Sequence, residues 1–305
     1  MGRSSGSKGI LEGQGALFSP DDGGSANRGA SLLFSSQTGI DLARAPLHTN
    51  AKSRLISEYI SKYQLVTHGG LFIDGFSAPQ RRSDAEAWTA RRVLELEPKW
   101  IRAFWLCDSD SVGIQLLYKL KAEHHLQPRS RSVWVMHGDF NVTVHTILKN
   151  HRLRRKTPVF VLLDQRSTEC HWSTVKAIAA RAGDRKIEML YFLGTSWLHR
   201  SLMQAARPEK LLSIDRWWGD GSWRGLIDLS QPQIVQKMAD RFKLELGYNY
   251  VTPYAVMRDE RTASKVFYLI HASDHADAPK LMTRAYKRIF GSIPGSPSDD
   301  QLPLL

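Results

Sequence analysis

Short apolar runs alternate with amphipathic segments along most of this 305-residue chain. Apolar residues at helical spacing predict a first helix over residues 51–63, and the apolar run at 70–74 predicts the strand that follows it. Such strands alternating with helical segments predict a mostly parallel α/β sheet, and their near-continuous apolar character indicates burial on both faces. Further strands are predicted at 103–108, 132–136, 158–164, 187–192, 250–256 and 265–271, with helices between them and a last helix near 281–289.

The two ends of the chain differ in composition from the middle. Residues 1–30 are rich in Gly and Ser, so we expect a flexible tail that buries too little apolar surface to fold. Residues 292–305 carry three prolines and are expected to form a second flexible tail. We therefore expect a single domain over 48–291, with an insertion at about 198–247 between late strands. No apolar run approaches the ~20 residues of a membrane helix, so we expect a cytoplasmic protein without membrane contact.

Aspartates stand at the ends of several predicted strands. Asp74, Asp108 and Asp164 each end a strand, and Asp139 lies just beyond another. Parallel α/β sheets bind ligands outside the carboxyl ends of their strands, where a carboxylate can meet a ligand without being buried unpaired. Each aspartate could instead simply cap the helix that follows it. Four aspartates at one edge favour a ligand site.

The loop after the first strand and the next two aspartates together predict a nucleoside pocket. Small residues in the loop at 75–78 let the backbone approach a ligand closely. We expect Asp108 to accept hydrogen bonds from ribose hydroxyls, and Asp139 from an adenine amino group with Phe140 stacked beside it. No phosphate-binding glycine motif is present, which favours S-adenosyl-L-methionine over NAD or ATP. The predicted cofactor-binding residues are Asp74, Gly75, Phe76, Ser77, Ala78, Asp108, Asp139 and Phe140.

Four segments give the chain a resemblance to a known family. They are His48-Thr49-Asn50-Ala51-Lys52, Ile73-Asp74-Gly75-Phe76-Ser77-Ala78-Pro79, Gly138-Asp139-Phe140-Asn141 and Leu163-Asp164, with a weaker likeness over 268–275. In order and spacing they resemble the three-Cys-motif partner proteins, a bacterial group with a three-layer, Rossmann-like fold of the class I methyltransferase type. The resemblance implies a transferase-like protein with a separately encoded partner that bears three cysteines.

Two loops depart from the pattern of that family. Its Phe-Ala-Gly-Pro-Gly is Phe76-Ser77-Ala78-Pro79-Gln80 in this chain, and its Asp-Pro-Phe-Gly is Asp164-Gln165-Arg166-Ser167. The Cβ of Ala78 narrows the approach to a methionine moiety, and Gln80 restricts positive φ. Asp164 remains, either as the catalytic residue that aligns the methyl acceptor or as a helix cap.

The net charge of +12, from 42 basic and 30 acidic residues, favours polyanionic partners such as DNA or RNA. Arginines interleaved with tryptophans can bind and stack on exposed bases, although the tryptophans could equally hold the insertion against the sheet. The histidines lack the spacing of metal ligands, and two cysteines are too few for a four-cysteine zinc site. The residues expected to contact nucleic acid or a partner are Arg81, Arg82, Arg166, Arg216, Trp217, Trp218 and Trp223.

Three functions are consistent with this pattern. The first is an S-adenosylmethionine-dependent methyltransferase acting on or near nucleic acid by in-line methyl transfer, with orientation as the main source of acceleration. The second is a catalytically silent adapter with the same fold, which the residues Ala78 and Gln80 favour. A metal-dependent nuclease ranks last, because its carboxylates would have to converge on one ion, whereas these are spread over several strands.

Overall fold

The structure is a computed structural model that describes residues 51–79, 87–124, 131–153, 156–181, 183–203, 207–257 and 266–291. Both predicted tails lie outside these residues, as do His48, Gln80, Arg81 and Arg82. Of the helices within these ranges, none has the length and apolar character that a membrane crossing requires.

Strands and helices alternate through the described part of the chain, as the hydrophobic pattern predicts. The strands are β1 (Leu71–Asp74), β2 (Ala103–Asp108), β3 (Ser132–His137), β4 (Val159–Leu163), β5 (Glu188–Gly194), β6 (Tyr250–Met257) and β7 (Val266–Ser273). The α-helices are α1 (Ala51–Thr67), α2 (Thr89–Leu94), α3 (Ser111–His124), α4 (Phe140–Leu148), α5 (Trp172–Ala179), α6 (Thr195–Met203), α7 (Pro208–Trp218), α8 (Gln231–Leu244) and α9 (Ala278–Phe290), and a 3-10 helix spans Gly221–Leu226.

The seven strands form one sheet in the order β3-β2-β1-β4-β5-β7-β6. Strands β1 to β5 pair in parallel, and β7 runs antiparallel to both of its neighbours, β5 and β6. The chain leaves β1 toward β2 and β3 on one side and returns to β4 on the other, so the topological switch point lies between β1 and β4. The predicted fold class is confirmed as a mostly parallel, Rossmann-like α/β sheet with helices on both faces.

Helices cover both faces of the sheet, and the strands alternate their side chains between two cores. In β2, Trp105 and Cys107 belong to the core under α4, α5, α7 and α8, whereas Phe104 and Leu106 belong to the core under α1, α2, α3 and α9. All four side chains are at most 2% exposed. Burial on both faces explains why these strands are apolar at successive positions instead of alternating with polar residues.

The segment between β5 and β6 holds the three tryptophans that we expected to stack on nucleic-acid bases. Trp217, Trp218 and Trp223 are only 0%, 5% and 2% exposed. The indole of Trp217 donates a hydrogen bond of 2.7 Å to Tyr191 Oη in β5, and that of Trp223 donates to Asp215. The expectation of base stacking is wrong for these three residues, because their rings are used to hold this segment against the sheet.

An arginine locks the same segment to the helix layer. The guanidinium of Arg241 lies between two indoles, with its central carbon 4.0 Å from the ring centre of Trp172 and 4.2 Å from that of Trp218. It donates to the carbonyl of Trp218 at 2.6 Å and to Glu245. Because its charge is paired and its donors are satisfied, this cation can be 9% exposed without a large desolvation cost.

Candidate functional site

A cleft of about 460 Å³ opens at the carboxyl ends of β1, β2 and β3. The β4–α5 loop and α7 form its other walls, and its size is typical of a small-molecule site. We refer to it as the carboxyl-edge cleft. Of the residues that the sequence predicts for a site, those that line it are Gly75, Phe76, Asp108, Asp139, Phe140, Arg166 and Arg216.

Asp108, at the end of β2, holds two neighbouring segments together. Its Oδ2 accepts a hydrogen bond from the backbone N–H of Ala78 at 2.8 Å, and its Oδ1 accepts one from Asp110 N–H at 2.9 Å. The side chain is only partly buried. A carboxylate oxygen can accept two hydrogen bonds, so each oxygen retains the capacity to accept one from a ligand hydroxyl in the cleft.

Asp139 is both a helix cap and a lining residue of the cleft. Its Oδ1 accepts hydrogen bonds from the backbone N–H of Asn141 at 2.9 Å and from the Asn141 side-chain amide at 2.7 Å, which caps α4. The residue is exposed. Within the described residues its Oδ2 has no hydrogen-bond partner, so capping α4 leaves this oxygen available to an amino group in the cleft.

Asn141 joins the two loops that form one wall of the cleft, a role that the sequence does not reveal. Its side-chain amide donates to the carbonyl of Glu169 at 2.8 Å, and its Oδ1 accepts from His171 N–H at 2.8 Å and Thr174 Oγ1 at 2.7 Å. These partners lie about 30 positions away in sequence. No local pattern around Asn141 could therefore have indicated them.

Phe140 borders the cleft but packs into the core. Its ring lies 5.8 Å from that of Phe76 and is only 2% exposed. A Cβ added to Gly75 would be 2.9 Å from the Phe140 ring. The Phe140 ring thus occupies the space that a side chain at position 75 would need. The predicted stacking of Phe140 on an adenine is therefore wrong in this structure, because the ring presents no open face.

Ser77 and Ala78 attach the β1–α2 loop to its neighbours and do not line the cleft. The Ser77 hydroxyl donates to the carbonyl of Asp74 at 2.9 Å and accepts from Cys107 N–H at 3.0 Å. Ala78 is 6% exposed and packs against Gly113, where an added Cβ would come within 2.4 Å of the Ala78 methyl group. These two residues fix the position of the loop that carries Gly75 and Phe76.

Asp74 is buried at the end of β1 and is 2% exposed. One of its oxygens accepts a hydrogen bond of 3.1 Å from Phe76 N–H. Burial, and then the nearby carboxylates of Asp164 and Asp108, raise the pKa of Asp74 to about 8. Asp74 is therefore mostly protonated at neutral pH and can donate a hydrogen bond as well as accept one.

Asp164, the predicted catalytic residue, forms an ion pair beside this carboxyl group. The ammonium of Lys52 in α1 lies 2.7 Å from Asp164 Oδ1, and the two side chains are 18% and 11% exposed. The same ammonium lies 4.5 Å from the ring centre of Phe192. Asp164 is thus engaged by a residue 112 positions away, and neither side chain lines the carboxyl-edge cleft.

The loop after Asp164 contributes both a structural residue and a charge at the cleft. Gln165 is fully buried, accepts a hydrogen bond from Cys170 N–H at 2.8 Å and donates to the Phe192 carbonyl at 3.3 Å. This residue anchors the loop to β5. Arg166, the next residue, is exposed at the cleft, as is Arg216 from α7.

The cysteines and the acidic and histidine residues offer no evident metal centre in the described part of the chain. No group of three or more Cys, His, Asp or Glu side chains is arranged there to hold a metal ion. Cys107 and Cys170 are both buried and unpaired, and burial raises the pKa of each thiol far above its usual value. Both cysteines are core residues in this fold.

The sequence matches no protein-family model and no curated protein. Solved structures with a similar fold include M. jannaschii TYW2 in complex with AdoMet, which is 8% identical over 74% of this chain and 75% of its own, with a TM-score of 0.38. A DUF574 family protein from Streptomyces avermitilis is 12% identical over 74% and 84%, with a TM-score of 0.41. Spermidine synthase in complex with the transition-state analogue AdoDATO is 11% identical over 80% and 66%, with a TM-score of 0.39. Likeness at this level carries no information about the function of this chain.

Proposed function

We propose that the chain is an S-adenosylmethionine-dependent, methyltransferase-like protein that binds the adenosyl part of its cofactor in the carboxyl-edge cleft. The observation that carries the proposal is that Asp108 and Asp139 meet in one cleft at the switch-point edge of the sheet, and that both retain hydrogen-bond capacity. When bound, the cofactor would supply a methyl group activated on a sulfonium.

The lining residues fit the adenosine half of such a cofactor. Asp108 would accept hydrogen bonds from the ribose hydroxyls, and Asp139 Oδ2 would accept one from the adenine amino group. The backbone at Gly75 and Phe76 forms the neighbouring wall. No phosphate is needed to satisfy these groups, which favours a nucleoside-type cofactor over a nucleotide.

On the acceptor side, we propose that Asp164 aligns the nucleophile. It stands at the end of β4, beside β1 at the switch point. Its pair with Lys52 fixes the direction of the carboxylate, because one oxygen accepts from the ammonium at 2.7 Å. Alignment of two bound groups is the effect that accelerates an in-line transfer most strongly.

We propose a polyanionic acceptor such as DNA or RNA that contacts the two arginines of the cleft wall and stays clear of its five carboxylates. Arg166 and Arg216 are exposed at its wall. Arg216 also lines an open groove of about 660 Å³ between α5 and the end of α7, where Lys176 and Arg224 stand beside Asp215 and Asp220. Positive charges along a groove attract a phosphate backbone without reading its sequence. We also propose that the chain acts together with a separately encoded protein of the three-Cys-motif type. The setting that we propose is the cytoplasm of a bacterium.

Calorimetric titration of the full chain with S-adenosylmethionine and S-adenosylhomocysteine tests the cofactor site. Asp139→Ser should weaken binding by about tenfold or more, since a lost hydrogen bond to a charged group typically costs ~1.5–3 kcal/mol. The serine still caps α4, so the fold is retained. Asp220→Ser is the matched control, because Asp220 also caps a helix, at Ser222, but lies outside the cleft. Absence of binding to the wild type, or an equal loss in both variants, would refute the cofactor site.

The adapter remains the second candidate, and the burial of Ser77 and Ala78 favours it. These two residues are predicted to bind the cofactor, but they are buried, with Ser77 bonded to Cys107 and Ala78 packed against Gly113. An adapter predicts salt-sensitive binding of nucleic acid without transfer of labelled methyl groups to it. Transfer that is lost in Asp164→Asn but not in Asp228→Asn, a change at an exposed aspartate, would support the methyltransferase and exclude the adapter.

A further inference from the structure

A second cavity, of about 320 Å³, lies at the opposite edge of the sheet. Here β4 and β5 begin and β7 ends, and the cavity is closed by the end of α1 and the start of α9. We call it the amino-edge cavity. It shares no lining residue with the carboxyl-edge cleft, so the proposed cofactor site does not account for it.

A buried carboxylate forms part of the cavity wall. Glu188, the first residue of β5, is 9% exposed. Its Oε1 accepts from Tyr59 Oη and lies 2.9 Å from His271 Nε2, and its Oε2 accepts from Ser273 Oγ at 3.0 Å. In the part of the chain that the structure describes, it has no lysine or arginine within ion-pair distance. Since each oxygen can accept two hydrogen bonds, Oε2 has room for one more donor.

An unsatisfied phenol lines the same cavity. Tyr63 is 4% exposed, and its hydroxyl has no hydrogen-bond partner among the described residues. Burial, and then the charge of Glu188, raise the pKa of Tyr63 well above its usual value, so the hydroxyl stays neutral and can accept or donate. A buried polar atom without a partner is costly in a folded protein, and a ligand in the cavity would supply the missing partner.

The charges at the cavity favour a cation. Its lining includes three carboxylates, Glu188, Asp184 and Asp274, and two basic residues, Arg185 and Lys186. The Lys186 ammonium already donates to two backbone carbonyls, each at 2.6 Å. These hydrogen bonds leave the charge of Lys186 in place, so the lining holds three carboxylates against two basic side chains.

The remaining walls are apolar and aromatic. Val66 and Leu281 line the cavity beside the rings of Tyr59 and Tyr63. A ligand that suits these walls has a small apolar body, and a cationic group at one end suits the carboxylate. Aromatic faces are also favourable neighbours for such a cation.

We propose that the amino-edge cavity binds a small primary amine, whose ammonium group donates to Glu188 Oε2 and Tyr63 Oη while its apolar body lies against Val66 and Leu281. The site is separate from the cofactor cleft, so an amine bound there acts as a second ligand. Its binding needs neither the cofactor nor a methyl acceptor.

Calorimetric titration of the full chain with 2-phenylethylamine tests this proposal, with 2-phenylethanol as the neutral isostere. We expect saturable amine binding with a Kd below about 1 mM and at least tenfold weaker binding of the alcohol. Tyr63→Phe should weaken amine binding about fivefold or more, because only the hydroxyl that the ligand would contact is removed. Tyr118→Phe is the matched control, since Tyr118 is a largely exposed tyrosine on α3.

Three results would overturn the proposal, and one variant extends it. Equal binding of amine and alcohol, or no amine binding up to about 10 mM, would show that the polar cluster serves only to join α1, β5 and β7. An unchanged Kd in Tyr63→Phe would lead to the same conclusion. Glu188→Gln should abolish amine binding; if it fails to fold, because Glu188 has three buried partners, the Tyr63→Phe result decides.

Discussion

Replacing Asp74 by Asn should change how the stability of the protein depends on pH. Asp74 is 2% exposed, and burial followed by the charges of Asp164 and Asp108 raises its pKa from 3.8 to about 8. Asn is nearly isosteric with the protonated carboxyl group and can still accept the hydrogen bond from Phe76 N–H. The substitution therefore removes the titration while keeping the local contact.

The sign and size of the effect follow from proton linkage. Between the two pKa values the folded state binds one more proton than the unfolded state, so the free energy of unfolding falls as pH rises. The slope is about 1.4 kcal/mol per pH unit, and from pH 5 to pH 7 the loss amounts to about 2.6 kcal/mol. Below the pKa of Asp74 in the unfolded state, this loss of stability is absent. Above its pKa in the folded state, the loss reaches its full value. In Asp74→Asn this contribution is absent at every pH.

Urea unfolding followed by tryptophan fluorescence at pH 5, 6 and 7 measures the effect. The stability of Asp74→Asn relative to the wild type should rise by about 2.6 kcal/mol over this range, since all other titrating groups are common to both proteins. Asp228→Asn, at an exposed aspartate, controls for the change in net charge. If the difference between Asp74→Asn and the wild type stayed constant with pH, the inference that Asp74 is protonated in the folded state would be refuted.

Three further substitutions test contacts that position the site. Lys52→Met should lower the free energy of unfolding by about 2 kcal/mol, because it leaves Asp164 unpaired at 11% exposure. Adding Asp164→Asn should restore part of this stability, and strictly additive effects of the two substitutions in a double-mutant cycle would contradict the pairing. Gly75→Ala should lower the free energy of unfolding by about 1–3 kcal/mol, because the added Cβ overpacks against the Phe140 ring. Gly225→Ala is the control, since an added Cβ there meets nothing within 4 Å, and equal decreases in melting temperature in both variants would contradict the packing argument. Arg241→Met should cost about 3 kcal/mol through lost hydrogen bonds and cation–π contacts, and a chemical-denaturation loss below about 1 kcal/mol would show that the two indoles do not depend on the guanidinium.

Local sequence was sufficient for most of the secondary structure. The strand predicted at 103–108 is β2 with the same bounds, Ala103–Asp108, and the helix predicted at 51–63 differs from α1, Ala51–Thr67, only in its later end. Both predictions depend on the spacing of apolar residues within one segment. A strand buried on both faces is apolar throughout, and an amphipathic helix repeats every 3.6 residues, so neither requires knowledge of the rest of the chain.

The placement of the aspartates at one edge was also available from the sequence. In parallel strands the carboxyl ends meet at the same edge, so Asp74, Asp108, Asp139 and Asp164 had to lie there together. From the sequence alone, each of these aspartates could either cap the helix that follows it or bind a ligand. In the structure Asp139 caps α4 and lines the cleft as well, because a carboxylate has more acceptor sites than a cap requires.

Contacts between distant segments were decided only by the tertiary structure. The pairing of Lys52 with Asp164 spans 112 positions, and the amide of Asn141 joins two loops without a local motif. Arginines interleaved with tryptophans have the same composition whether the indoles face nucleic acid or a core, and only packing buried Trp217 and Trp223. Periodicity within a segment determines which residues are apolar, whereas the neighbour that covers them depends on how the whole chain comes together. For that reason the sequence determined the sheet and the edge that carries the aspartates, and the folded structure alone determined which side chains remain open to a ligand.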